Sequence, residues 1–153
     1  MAIEIDVVEL EAQPVLVIEV NVEAPKLGEA LAEILPKVHH YATEQGIEIV
    51  GMPFMRYLEM TDHFRIDAGI PIATEVAGDG EIVSKVLPGG KTATTLHLGE
   101  YHLVGQAWDA MFAWGEEQGI EQHDGGWDVY ENDPTEVDEP GQFRTRLYYP
   151  MLP

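Results

Sequence analysis

A chain of 153 residues with 45% apolar content is long enough to bury the core of one ordinary domain and too apolar for a disordered segment. Eight Lys and Arg stand against 28 Asp and Glu, and the formal charge of −20 repels phosphate backbones and anionic lipid, which argues against direct nucleic-acid or membrane binding. With no cysteine there is no disulfide, no thiolate nucleophile and no cysteine-containing zinc site.

The acidic residues are spread along the whole chain, as in a solubility device, a salt-adapted composition or an attractor of cations. The opening "MAIEIDVVELEAQP" alternates acidic and apolar residues without a basic start or a long apolar run. It does not read as a signal peptide, and a cytoplasmic protein is expected. "PVLVIEVNVE" is a β-branched run typical of a strand. In "KLGEALAEILPKVHHYATEQG", Leu27, Leu31, Leu35 and Val38 recur at helical spacing, and Gly46 stands where a helix end wants a left-handed residue. Pro36 predicts a kink or an early break. "IEIVG", "FMRYLEM" and "FRIDAGIPIA" follow as short β-like runs.

"GDGEIVSKVLPGG" predicts a hairpin with residues 81–87 as an edge strand; its glycines match no phosphate-binding pattern. The earlier order then returns: "KTATTLHLGEY" as a strand, "HLVGQAWDAMFAWGEEQG" as a helix, then "WDVYEN" and "FRTRLYYPML" as strands. The polar segment 132–142 reads as a loop.

The two halves share wording as well as order. A shift of 73 residues superposes Gln45, Gly46, Ile47 and Glu48 on Gln118, Gly119, Ile120 and Glu121, and Tyr57 on Tyr130. The same shift sets Leu31, Leu35 and Val38 on Val104, Trp108 and Met111. The expectation is a single α+β domain over residues 1–153 built of two repeats, about 1–75 and 76–153. Duplicated β-α-β-β units would form an antiparallel sheet with two main helices around a central cleft, a natural ligand site.

Gly99 and Tyr101 before the second helix, Trp108 and Trp114 on it, Gly119, then Tyr130, Asp133 and Pro134, and the terminal Tyr149-Pro150 together resemble the GyrI-like small-molecule-binding domain. That domain is also the effector-binding domain of AraC- and MerR-type regulators. The resemblance covers nearly the whole chain and implies a duplicated β-α-β-β fold. It further implies an aromatic-walled cleft with a buried acid that recognises cationic, hydrophobic molecules. In the family the acid is commonly a Glu two residues before the motif tyrosine, where this sequence has Asp128. The shorter side chain implies a shallower pocket, an acid supplied elsewhere, or another duty for Asp128.

Strand alternation sets Asp128 and Tyr130 on one face and Trp127, Val129 and Glu131 on the other. The repeat gives Met55, Tyr57 and Glu59 the corresponding places. The expected ligand-binding set is therefore Tyr57, Glu59, Tyr101, Trp108, Asp128 and Tyr130, with Trp108 as pocket wall or core packing and Glu131 the acid if the strand faces the other way. Aromatic faces attract a lipophilic cation, and a desolvated carboxylate complements its charge.

No cofactor or metal is expected: His39 and His40 are adjacent, and His97, His102 and His123 follow no HExxH-like spacing. Ser84, in the expected hairpin, makes a poor nucleophile. The function expected is a stand-alone small-molecule-binding protein that senses or sequesters amphipathic, cationic compounds. One alternative is a hydrolase of electrophilic, cyclopropane-type toxins, using Asp128 with Tyr130 or Glu59 with Tyr57 as base and hydrogen-bond donor. The other is a gyrase-inhibitor-type interaction module with a protein partner.

Overall fold

The computed structural model describes residues 4–60, 63–99, 104–121, 125–131 and 143–151. In chain order the elements are β1 (Asp6–Leu10), β2 (Gln13–Glu23), a 3-10 turn (Ala24–Lys26), α1 (Leu27–Glu44), β3 (Phe54–Met60), β4 (His63–Pro71) and β5 (Ile82–Leu87). There follow β6 (Gly90–Leu98), α2 (Val104–Gln118), β7 (Trp127–Tyr130) and β8 (Arg144–Pro150). All six pairings of named strands within the units described below are antiparallel, and the fold is α+β as expected.

The chain divides into two compact units. The first runs from Ala12 to Pro88 and orders its strands β3-β4-β2-β5, with α1 joining β2 to β3. The second takes the described residues up to Glu11 and those from Gly89 onward, and orders its strands β7-β8-β6-β1, with α2 joining β6 to β7. Each unit thus runs strand, helix, strand, strand, inserts its last strand between the other two, and adds one more strand beside the first. The unit boundaries differ from the repeat boundaries in the sequence. β1 opens the chain yet pairs with β6, and β5 pairs with β2 rather than closing a hairpin on a neighbour in sequence. A first strand that left one edge bare would expose a row of N–H and C=O groups, and an added strand covers it.

The shared "EQGIE" wording has a direct structural cause. Gly46 and Gly119 both adopt φ of +68°, the left-handed region that a side chain disfavours. Ile47 N–H donates to Ala42 O at 2.9 Å and Gly46 N–H to Thr43 O at 3.3 Å; Ile120 N–H donates to Gly115 O at 2.8 Å and Gly119 N–H to Glu116 O at 3.2 Å. These are two copies of one helix-terminating motif, in which the residue after glycine closes a six-residue turn and satisfies carbonyls the helix leaves open. The helices differ in how they end their buried stripes. α1 buries Val38 and Ala42 and runs through Pro36 without breaking, on an exposed position where the freed carbonyl meets water. α2 buries Val104, Ala107, Trp108, Met111 and Gly115, a stripe of helical period.

In the first unit residues 15–18 of β2 and 66–70 of β4 are buried on both faces, so these central strands read as continuous apolar runs. "IEIVG", expected as a strand, contributes only an isolated bridge from Ile49 to Ile72. Among the described residues no helix is long and apolar enough to cross a membrane.

Candidate functional site

The second unit gathers its aromatic residues around one carboxylate. On β8 and β7, Leu147 lies opposite Asp128 and Thr145 opposite Tyr130, so these four share a sheet face. Asp128 is 1% exposed, and its Oδ2 accepts a hydrogen bond from the indole Nε1–H of Trp108 at 3.2 Å. That bond fixes the face on which α2 lies. One helical turn on, Phe112 stacks on Trp108 with ring centroids 5.7 Å apart and planes at 28°. Tyr149 meets Phe112 edge-on at 6.0 Å and donates its hydroxyl to Ile120 O at 3.3 Å, at the turn that ends α2. A chain of contacts therefore runs from the helix terminus through Tyr149, Phe112 and Trp108 to the carboxylate. Burial, with the charge of Glu121 added, holds the Tyr149 hydroxyl above its ordinary titration range.

Trp127, on the opposite face, stacks on Tyr148 at 5.5 Å and 21°. Thr94, opposite Tyr148 on β6, has a buried hydroxyl with no hydrogen-bond partner among the described residues.

The first unit builds a different cluster. Arg56 on β3, Asp67 on β4 and Glu19 on β2 are successive cross-strand partners and share one face. Lys85, from β5, donates to both Asp67 carboxylate oxygens at 3.0 Å and to Glu19 Oε2 at 2.9 Å. Asp67 is 2% exposed, so this lysine supplies a buried acid with its countercharge.

Of the residues expected in the site, Trp108 and Asp128 are joined directly, and Tyr130, half-buried, lies on the face of Asp128. Tyr101 lies outside the described residues. Tyr57 is half-buried on β3 opposite Ile66. Glu59 departs from the expected alternation. The ladder slips between Tyr57 and Glu59, so that Tyr57 faces Ile66 while Glu59 faces Arg65, the next residue of β4. A β-bulge of this kind exchanges the two faces beyond it. Glu59 consequently lies on the face opposite Tyr57, exposed and paired with Arg65 at 3.4 Å. The carboxylate–tyrosine pair imagined there is not assembled. Sequence reasoning passed over Phe112 and Tyr149 as site residues. The four-residue spacing of Trp108 and Phe112 on one helix face was the available signal for the first. For the second, no local pattern links Tyr149 to α2.

Among the described residues no three His, Asp or Glu side chains gather as a metal site. In the second unit, then, a helix with an aromatic face covers a buried carboxylate on the sheet. The chain belongs to the GyrI-like small-molecule-binding domain family, whose model matches residues 3–152.

No curated protein matches it in sequence. Among solved structures, the EcmrR C-terminal domain is similar over 99% of this chain and 99% of its own, with a TM-score of 0.87 at 15% identity. In the EcmrR–DNA complex the match covers 97% of this chain and 57% of the EcmrR chain, with a TM-score of 0.85 at 15% identity. The chain therefore spans little more than half the length of that regulator. SAV2435 bound to tetraphenylphosphonium matches over 97% of this chain and 94% of its own, with a TM-score of 0.62 at 9% identity. A hydrolase from Listeria innocua matches over 97% and 92%, with a TM-score of 0.63 at 13% identity. At such identities the likeness shows the fold.

Proposed function

We propose that the domain senses or sequesters amphipathic cations, taking them at Asp128, Trp108 and Tyr130 in the second unit, with Tyr101 joining on the strength of the family motif. The observation that carries this reading is the carboxylate of Asp128, buried to 1% exposure under an aromatic stack. A buried carboxylate loses its hydration and regains most from a full positive charge, while the faces of Trp108 and Phe112 suit the apolar body of a lipophilic cation. The formal charge of −20 raises the local concentration of cations and repels anions of the same shape. Support comes also from SAV2435, of similar fold, which binds tetraphenylphosphonium. The likeness to EcmrR suggests that sensing reports to transcription, with DNA contact falling to another domain or chain.

Glu59 is left out of this site because it is exposed and paired with Arg65. A hydrolytic reading, favoured by the likeness to the Listeria protein, now rests on Asp128 with Tyr130, because Tyr57 and Glu59 lie on opposite faces.

A thermal-shift series with tetraphenylphosphonium, its anionic isostere tetraphenylborate and an electrophilic cyclopropane, followed by product analysis, separates these readings. A rise in Tm with the cation alone, the ligand recovered unchanged, supports binding by mass action on the native state. Equal stabilisation by the borate contradicts the cation reading, and consumption of the cyclopropane supports the hydrolase.

A further inference from the structure

Thr145 stands on β8 fully buried, and its hydroxyl has no hydrogen-bond partner among the described residues. It is the middle of a cross-strand row, with half-buried His97 opposite it on β6 and half-buried Tyr130 opposite it on β7. A buried hydroxyl left unbonded costs stability, and valine would fill the same place with the same branched shape and a good preference for strands. The fold itself therefore has no use for this oxygen. A ligand does. Asp128 pairs with Leu147, two residues along β8, so Thr145 is its diagonal neighbour on the same face, about 7–8 Å away between Cα atoms. Both residues are buried to the same depth. A ligand that meets the carboxylate is within reach of the hydroxyl as well.

We propose that Thr145 determines which cations the domain takes: its hydroxyl accepts a second N–H from a ligand whose first N–H meets Asp128. The proposal rests on the cation-binding reading and narrows the preferred class to protonated primary and secondary amines. A quaternary ammonium or a phosphonium brings charge but no donor, and a tertiary amine brings one N–H, which the carboxylate takes. Each still binds, and each leaves Thr145 Oγ1 unbonded. Only a cation with two N–H groups satisfies both side chains, and it recovers on binding what the unliganded fold forgoes.

N-methyl-3,3-diphenylpropylamine and its N,N-dimethyl analogue, both protonated near pH 7, differ by one N–H. In calorimetric titrations the wild type is expected to bind the first roughly tenfold more tightly, the contribution of one hydrogen bond to a charged group, and Thr145→Val to bind both alike. The variant keeps the shape of the side chain, so a preference that came from crowding of the extra methyl group would survive in it. A surviving preference, or none in the wild type, overturns the proposal while cation binding stands. No binding of either amine or of tetraphenylphosphonium by the wild type overturns both readings. Stability supplies a readout that needs no ligand. Thr145→Val is expected to melt above the wild type, because it removes an unbonded buried oxygen. An unchanged or lower Tm would show that the hydroxyl already contributes within the fold, and would overturn the assignment.

Discussion

Gly115 and Tyr149 fit as notch and knob: a Cβ built on Gly115 would stand 2.8 Å from the Tyr149 hydroxyl oxygen and 3.2 Å from its Cζ. The buried stripe of α2 accordingly ends on its smallest residue. Gly115→Ala gains helix propensity of about 0.5–1 kcal/mol, yet it must push the tyrosine off Ile120 O and disturb the stack behind it. Overpacking of this kind costs typically about 1–3 kcal/mol, so a net loss of stability is expected in urea denaturation. A variant as stable as the wild type would show that Tyr149 is free to move.

Lys85 ties β5 to β2 and β4 through Glu19 and Asp67, and with its side chain 29% exposed it is partly shielded from solvent. Lys85→Met keeps the aliphatic stem and strips Asp67 of this countercharge. Breaking one side of a buried pair costs about 3–5 kcal/mol, and partial exposure brings the expected loss to about 2–3 kcal/mol. Lys85→Arg, which keeps the charge, should recover most of it. Equal stability of the Met variant and the wild type would sink this account of the cluster.

Lys85, Tyr148 and Tyr149 of the folded protein titrate above their ordinary values. For Lys85, burial pulls downward and is outweighed by the hydrogen bonds and charges of Glu19 and Asp67. For Tyr148, burial raises the hydroxyl, with Arg146 opposing and Glu131 assisting; for Tyr149, burial and Glu121 both raise it. In each case the folded state keeps a proton that the unfolded chain releases, so stability is fully present below the unfolded values and is lost as pH rises through the folded ones. Tm should thus fall steeply above about pH 10, the region of the ordinary values of 10.0 and 10.5. A Tm that is level from pH 9 to 11 would contradict these shifts.

Much of this fold was legible in the sequence because its signals are local. The β-branched run of β2, the apolar stripes of α1 and α2, and the glycines at 46 and 119 all declare themselves within a few residues. The 73-residue echo also had a local meaning, since "EQGI" is the wording of one helix terminus used twice. What escaped depends on partners distant in sequence. Nothing in "DVVEL" says that it will pair with residues 90–94, or that β5 will cover β2. Pro36 predicted a kink or an early break; α1 does not break there, since the position is exposed and water can serve the freed carbonyl. The bulge after Tyr57 was equally hidden, for a single extra residue alters alternation without altering composition. On the site, Asp128 and Trp108 were both named, but the hydrogen bond between them joins a strand to a helix 20 residues away.

Because that bulge turns Glu59 to the solvent-exposed Arg65, Glu59→Gln should leave stability within about 0.5 kcal/mol of wild type and leave cation affinity unchanged. A large loss of affinity in this variant would return Glu59 to the binding site.

The central claim is that the carboxylate of Asp128 supplies the ionic contact to a lipophilic cation. Isothermal titration of wild type and Asp128→Asn with tetraphenylphosphonium and with tetraphenylborate tests it most directly, because the amide keeps the shape and can still accept from the Trp108 indole. The account predicts that the wild type binds the phosphonium and not the borate, and that Asp128→Asn loses roughly tenfold or more in phosphonium affinity, the weight of one charge-assisted contact. Undiminished phosphonium binding by Asp128→Asn would contradict it.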